Sequence, residues 1–292
     1  MEDLDPRLNA YRPDLAAESL RGRVAAARFS PGRPMQVRRG VLPLRRYPNA
    51  KAPQDSQLLA GEQVLLYDSE DGWAWVQNRS DGYVGYVEAA ALSSDLRPPS
   101  HWVSALRSFI YPEPDMKTVP LDHLPMTAEV TLVANAEGFG RLADGGWVYG
   151  DHLAPLGARQ PDYVATAERF LGTPYLWGGK ESLGLDCSGL VQVALAAAGR
   201  KVPRDCDHQE AALGAALPWR SAAESPPTRG DLLYSPGHVA IALDGSRIIH
   251  ATAHAMAVVV EDLAVLEARL RNQGGPGFTA RRRPLGRAAV PR

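Results

Sequence analysis

The sequence predicts a multidomain chain in which two small all-β barrels precede an α+β domain. Three observations lead there. Between residues 35 and 92, short apolar runs alternate with the acidic-glycine turns Glu70-Asp71-Gly72 and Ser80-Asp81-Gly82, the pattern of a compact barrel. The same succession of strand, glycine turn and aromatic strand returns more faintly between residues 103 and 149, an internal repeat of roughly 60 residues. After residue 157 helix-spaced segments come first and β-like runs second, which is the order of an α+β domain.

Residues 1–34 form a lead, and within it 14–24 reads as a short helix strapped across the later domains. The first barrel, 35–96, has strands at 41–44, 62–67, 73–77 and 83–87. Arg97-Pro98-Pro99-Ser100 is a linker. The second barrel, 101–156, has strands at 103–106, 129–133, 139–142 and 146–149, and Pro155-Leu156-Gly157-Ala158 leads into the last domain, 157–292. There Asp162 caps a helix that Gly172 stops. A second helix starts at Cys187 with Asp186 as N-cap and Gly199 past its end, and a third begins within 201–210. Strands follow near 231–234, 238–243, 247–250 and 257–261, then a helical segment over 261–270 and a closing strand at 278–282.

The net charge of -1 carries no electrostatic footprint for nucleic acid or an anionic membrane. The basic end, from Arg281 to Arg292, reads as a solvated tail. Two cysteines make no disulfide framework. No apolar run approaches the roughly 20 residues of a membrane span. The start, Met1-Glu2-Asp3-Leu4-Asp5-Pro6, lacks the basic and apolar regions of a secretory signal, so the expected location is cytoplasmic. No cofactor is called for. Cys187, Cys206, His208, His238, His250 and His254 lack the tight spacing of a zinc site, so no metal is expected.

The chemistry concentrates around Leu185-Asp186-Cys187-Ser188-Gly189-Leu190-Val191. A cysteine in the first turn of a helix sits at the positive end of the helix dipole, which favours thiolate over thiol. His238 and His250 end or begin β-like runs joined by Leu243-Asp244-Gly245-Ser246, a strong hairpin signal. The hairpin brings the two imidazoles together, one as base and one as the group that orients it, completing a nucleophile–base–orienter triad with Cys187. In the expected mechanism His238 takes the Cys187 proton to give a thiolate–imidazolium pair, and the Cys187 N–H is among the oxyanion donors.

Five motifs in order resemble those of the NlpC-type (NlpC/p60) murein peptidases, papain-like cysteine endopeptidases of bacterial cell-wall peptides. They are Pro174-Tyr175-Leu176-Trp177-Gly178-Gly179, the Cys187 stretch, Gly230-Asp231-Leu232, Gly237-His238-Val239-Ala240-Ile241 and Ile249-His250-Ala251. Both N-terminal barrels look like bacterial SH3-like domains, the first most closely at Asp81-Gly82-Tyr83-Val84-Gly85-Tyr86-Val87. The resemblance implies hydrolysis of the γ-D-glutamyl bond to a diamino acid, meso-diaminopimelate or lysine, in peptidoglycan stem peptides. In relatives with SH3-like modules and no export signal, it implies a freed wall peptide with an unblocked L-alanine amine, taken up for recycling. It further implies that Tyr175, Asp186 and Ser188 line the substrate pocket, Asp186 meeting the amine and Ser188 the D-glutamate α-carboxylate. The Tyr175/Trp177 loop supplies further contacts. Cys206 stands where such relatives often carry serine and is a departure: an inert small residue, a changed contact to the amine, or a second thiol able to react with Cys187 under oxidation. Asp186 also has a plain reading as a helix cap. The modules either bind wall or close one end of the cleft, and the second is favoured. Glu70, Asp71 and Tyr83 are then candidates to receive the amine, against plain readings as turn residues and a barrel-packing tyrosine. Two rival readings are an exported wall hydrolase acting on intact murein and an inactive wall-peptide binding protein.

Overall fold

The structure, a computed structural model, describes residues 4–221 and 223–284. Two compact units divide between Ala158 and Arg159. In the first, the helix expected at 14–24 is absent. The chain lays down strand β1 (Leu15–Ala17), a single 3-10 turn and strand β2 (Arg28–Ser30), and the two strands pair in parallel. Packing explains the difference. Leu15, Ala16 and Ala17 are consecutive and all buried, which a helix with one apolar face cannot achieve. Leu15, Ala17 and Leu20 cluster with Ala10 and with Trp75 of the first barrel.

That barrel comprises β3 (Arg33–Val37), β4 (Val41–Arg45), β5 (Gln54–Leu59), β6 (Gln63–Glu70), β7 (Trp73–Asn78), β8 (Val84–Glu88) and β9 (Leu92–Ser93). They form one sheet in the order β5-β4-β8-β7-β6-β3-β9 around Val37, Leu42, Leu44, Leu58, Val64, Val76 and Val87. The segment expected as the second repeat, residues 101–156, is also all β. It comprises β10 (His101–Val103), β11 (Arg107–Ile110), β12 (Asp122–Pro125), β13 (Glu129–Val130), β14 (Leu132–Ala136), β15 (Phe139–Leu142), β16 (Trp147–Tyr149) and β17 (Leu153–Pro155). These fall into three small sheets rather than one ladder. Pro112, Pro114 and Pro120 occupy the connection between β11 and β12, where each removes a ladder donor. Backbone meets backbone where the two repeats join. The Glu129 N–H donates to the Ala60 carbonyl at 2.9 Å. A Cβ on Gly40 would lie 1.7 Å from the His123 carbonyl oxygen, and one on Gly61 2.1 Å from that of Glu129.

The second unit opens with α1 (Tyr163–Glu168), whose cap Asp162 accepts from the Val164 and Ala165 N–H groups. A short hairpin, β18 (Lys180–Glu181) and β19 (Gly184–Leu185), leads to α2 (Cys187–Ala197), and α3 (Cys206–Ala212) follows. Then come β20 (Ala215–Leu217), β21 (Leu232–Ser235), β22 (His238–Ala242), β23 (Arg247–Thr252), β24 (Ala257–Asp262), α4 (Leu263–Asn272) and β25 (Ala280–Arg283). The strands build one antiparallel sheet, β20-β25-β21-β22-β23-β24. α2 packs on β22 and β23, and α4 sets Leu263 and Leu266 against Leu233, Ala240 and Ile248. The closing strand expected at 278–282 is β25, and it takes in Arg281–Arg283, expected also in a solvated tail; Arg283 ion-pairs there with the fully buried Asp231 at 2.7 Å. Residues 285–292 of that expected tail, and residues 1–3 of the start, lie outside the described residues. Among the described residues no helix is long and apolar enough to cross a membrane.

One glycine in α2 is set by close approach. A Cβ on Gly189 would lie 2.1 Å from the Gly179 carbonyl oxygen. Alanine gains about 1 kcal/mol of helix propensity there, but displacing a backbone carbonyl in a packed core costs up to about 3 kcal/mol. Gly189→Ala is therefore expected to lower the denaturation midpoint of the second unit, and an unchanged midpoint would mean that the Gly179 loop yields freely.

Candidate active site

The Cys187 side of the site is built by one carboxylate. Asp186 precedes α2 in extended conformation, and its Oδ1 accepts from the Gly189 N–H at 2.7 Å. Its Oδ2 accepts from the Gly178 N–H at 2.8 Å, tying down the loop that carries Tyr175 and Trp177. Both oxygens also accept from Arg204, Nη1 to Oδ1 at 2.9 Å and Nη2 to Oδ2 at 2.6 Å. Arg204 is only 1% exposed. Its Nη1 donates in addition to Ser188 Oγ at 2.9 Å, and that hydroxyl donates to Asp186 Oδ1 at 3.3 Å. Asp186 is thus the cap that was expected. Its carboxylate and the Ser188 hydroxyl are, however, engaged by Arg204, a residue that the sequence did not single out. An arginine in a loop carries no signal of burial until its partner is known.

The histidine side is built by the hairpin. His238 opens β22 and His250 lies within β23, and His238 Nε2 is 2.8 Å from His250 Nδ1. Asp244 makes the turn between them, its Oδ1 accepting from the Ser246 and Arg247 N–H groups. His250 Nε2 is 3.1 Å from Glu261 Oε2, and Arg269 holds both Glu261 oxygens at 2.6 Å. Glu261 and Arg269 are the other two residues missed. A glutamate following three valines in a β-like run was the available signal, since an acid there must find a partner or face water. Cys187 meets the hairpin through the Val239 N–H, which donates to its sulfur.

Burial overrides the helix dipole. The Cys187 thiol is pushed up to about 12, chiefly by desolvation and then by the Asp186 and Cys206 side chains, with the Val239 N–H and Arg204 opposing. His238 is pushed down to about 3 by desolvation and then by His250 and Arg269. Burial thus favours the neutral thiol and the neutral imidazole and opposes the charge separation that the helix start favours. A dipole worth up to about 2 kcal/mol does not offset removal of the thiolate from water, where a buried group can shift by three units or more.

The same rings set a pH dependence of stability. His238 and His250 have folded pKa values near 3 and 4, below the ordinary 6.5. Between those values the unfolded chain binds more protons than the folded one, so stability rises with pH and is lost on acidification. Each ring is expected to forfeit on the order of 2 kcal/mol between pH 7 and pH 5. Thermal unfolding across that range checks this, and a flat midpoint would mean that the rings are solvated.

Tyr175 is half-buried and its N–H donates to the Met256 carbonyl, while Trp177 is 63% exposed. Cys206 begins α3, half-buried, its thiol pushed up to about 11 by burial and by Asp207 and Asp205. Tyr83, expected as a contact for the amine, packs instead in the core of the first barrel at 5% exposure. Glu70 and Asp71 are exposed on the β6–β7 turn of the first unit. Among the described residues Asp205, Asp207 and His208 bring possible ligand atoms within 4.8 Å of one another, Asp207 being exposed.

Residues 44–92 match the family described as the bacterial dipeptidyl-peptidase SH3 domain, and residues 172–269 match the NlpC/P60 family. The γ-D-glutamyl-L-lysine dipeptidyl-peptidase of Bacillus subtilis (strain 168) is 28% identical over 225 residues, which span 67% of this chain and 71% of that protein. Dipeptidyl-peptidase 6 of Lysinibacillus sphaericus is 29% identical over 191 residues, spanning 64% of this chain and 66% of that one. A solved NlpC/P60 family protein from Bacillus cereus ATCC 10987 superposes with a TM-score of 0.71 at 19% identity, over 87% of this chain and 100% of its own, and so shares the fold.

Proposed function

The chain belongs to the NlpC/P60 family through residues 172–269, and on that premise we propose that it is a cysteine endopeptidase of peptidoglycan-derived peptides. It hydrolyses the bond between γ-D-glutamate and an L-diamino acid, lysine or meso-diaminopimelate, in peptides with a free N-terminal L-alanine. The observation that carries this reading is the pairing of His238 with His250 at 2.8 Å beside a cysteine at a helix start. The similarity to a protein named for γ-D-glutamyl-L-lysine supports the substrate class. Residues 1–34, 35–96, 101–156 and 157–292 are read as lead, two SH3-like modules and catalytic domain. Peptides with a free N-terminal L-alanine belong to cell-wall recycling in the cytoplasm.

The chemistry starts from a neutral thiol and a neutral imidazole, the forms that burial favours. As the Cys187 sulfur bonds to the γ-carbonyl carbon of D-glutamate, its proton passes to His238. The oxyanion accepts from the Cys187 N–H, one of the amides at a helix start with no intrahelical acceptor. The C–N bond then breaks, and the departing amine of the diamino acid takes the proton from His238. Water attacks the thioester, giving a proton to His238 that restores the thiol as the dipeptide L-Ala-D-Glu leaves with its γ-carboxylate. Forming imidazolium only during attack keeps charge out of the buried site until substrate stabilises it.

The test is cleavage of L-Ala-γ-D-Glu-L-Lys and L-Ala-γ-D-Glu-meso-diaminopimelate beside their N-acetylated twins. Cleavage of the free-amine peptides alone is expected. Equal cleavage of both forms removes the free-amine requirement and favours an enzyme of intact wall. Binding without cleavage favours a binding protein.

A further inference from the structure

Behind His250 stands a carboxylate whose geometry decides the protonation of both rings. In the β23–β24 ladder His250 pairs with Val259, so Glu261 occupies the diagonal position on the same face. The His250 side chain is fully buried, and those of Glu261 and Arg269 are 17% and 18% exposed. The charged groups facing the two rings are Glu261 of β24 and Arg269 of α4. The titratable groups facing the thiol are Asp186, Arg204, Cys206 and Tyr175.

The clasp of Arg269 holds the Glu261 carboxyl below its ordinary range. An ionised carboxylate only accepts, so the proton in its bond with His250 sits on Nε2. A neutral ring protonated there has a bare Nδ1, which accepts from His238 at 2.8 Å. His238 must then carry its own proton on Nε2. Its Nδ1 is left bare, as a base needs.

We infer that Glu261, held by Arg269, is a positioning residue that sets the tautomer of His250 and, through it, makes His238 Nδ1 the proton acceptor for Cys187. The effect on rate rests on the function proposed above, whereas the tautomers do not. Arg269 gives the inference its sign. Its Nη2 reaches the same oxygen that faces His250 Nε2. In Glu261→Leu the polar group left there is a guanidinium, which can only donate. His250 would then turn to the Nδ1–H form and drive His238 to the same form, which cannot take a thiol proton.

The experiment is long-range 1H–15N spectroscopy of the histidine rings at pH 7, with kcat and KM on L-Ala-γ-D-Glu-L-Lys. The native protein is expected to show Nε2–H for both rings. Glu261→Leu is expected to show Nδ1–H for both and to lose about 100-fold in kcat with KM within about twofold. Glu261→Leu combined with Arg269→Leu removes the misdirecting donor and is expected to recover about tenfold of that loss. The inference is overturned if Glu261→Leu keeps both Nε2–H forms, or if the tautomers invert while kcat stays within about twofold. Should that variant not fold, the double variant decides, and a kcat within about threefold of native overturns the inference. A native protein that cuts none of these peptides overturns the proposed function, while the spectra, recorded without substrate, still decide what Glu261 does to the rings.

Discussion

Cys187→Ala is expected to reduce peptide cleavage to background, a loss of about a million-fold in kcat, comparable to removal of the nucleophile in other covalent hydrolases. Alanine offers no atom that can bond to the γ-carbonyl carbon, and His238 has no comparable proton to take. The fold is expected to survive. Cys187 is 7% exposed in the first turn of α2, and deleting its sulfur leaves a small cavity worth on the order of 1 kcal/mol. Binding of the free-amine peptide is expected to persist, because the thiol bonds to substrate only in the reaction. Cys206→Ser is the companion control and is expected to keep activity. If Cys187→Ala retained more than about one part in a hundred of the native rate, the chemistry would lie elsewhere, with the half-buried thiol of Cys206 as the first alternative.

The largest loss of stability is expected at Arg204. Removing one member of a buried ion pair strands the other charge, at a cost of about 3–5 kcal/mol. In Arg204→Leu the Asp186 carboxylate would still accept from the Gly178 and Gly189 N–H groups and from Ser188 Oγ. The lower end of that range therefore applies, roughly a 10 °C fall in the melting of the second unit. Replacing both members, Asp186→Leu with Arg204→Leu, removes the stranded charge and is expected to be less unstable than Arg204→Leu alone, although the helix loses its cap. A double variant as unstable as the sum of the two single changes would mean that the pair is uncoupled.

Legibility in the sequence followed the range of the interactions. Local signals were clear. Asp162 and Asp186 read as caps and are caps, and the Asp244-Gly245 turn folds the hairpin that joins His238 to His250. Strands β4, β6, β7 and β8 were visible because their apolar residues alternate or cluster between glycine turns. Long-range effects were not. Whether 15–17 forms helix or strand depended on Trp75 and its neighbours, far along the chain. β5 was missed because its first four residues, Gln54-Asp55-Ser56-Gln57, are polar although Ser56 and Gln57 are buried. The protonation of Cys187 depended on how deeply it is buried, which no helix-start motif encodes. Arg204, Glu261 and Arg269 acquire meaning only through partners 18, 11 and 8 residues away.

The seam between the two β repeats has a consequence for how this protein can change. At Gly40 and Gly61 the first repeat admits the peptide backbone of the second with no space for even a methyl group. Such a joint cannot be re-tailored by exchanging side chains. Replacing either β segment alone would demand matching glycines and a matching carbonyl path, so the two are expected to change only together, as a single cassette.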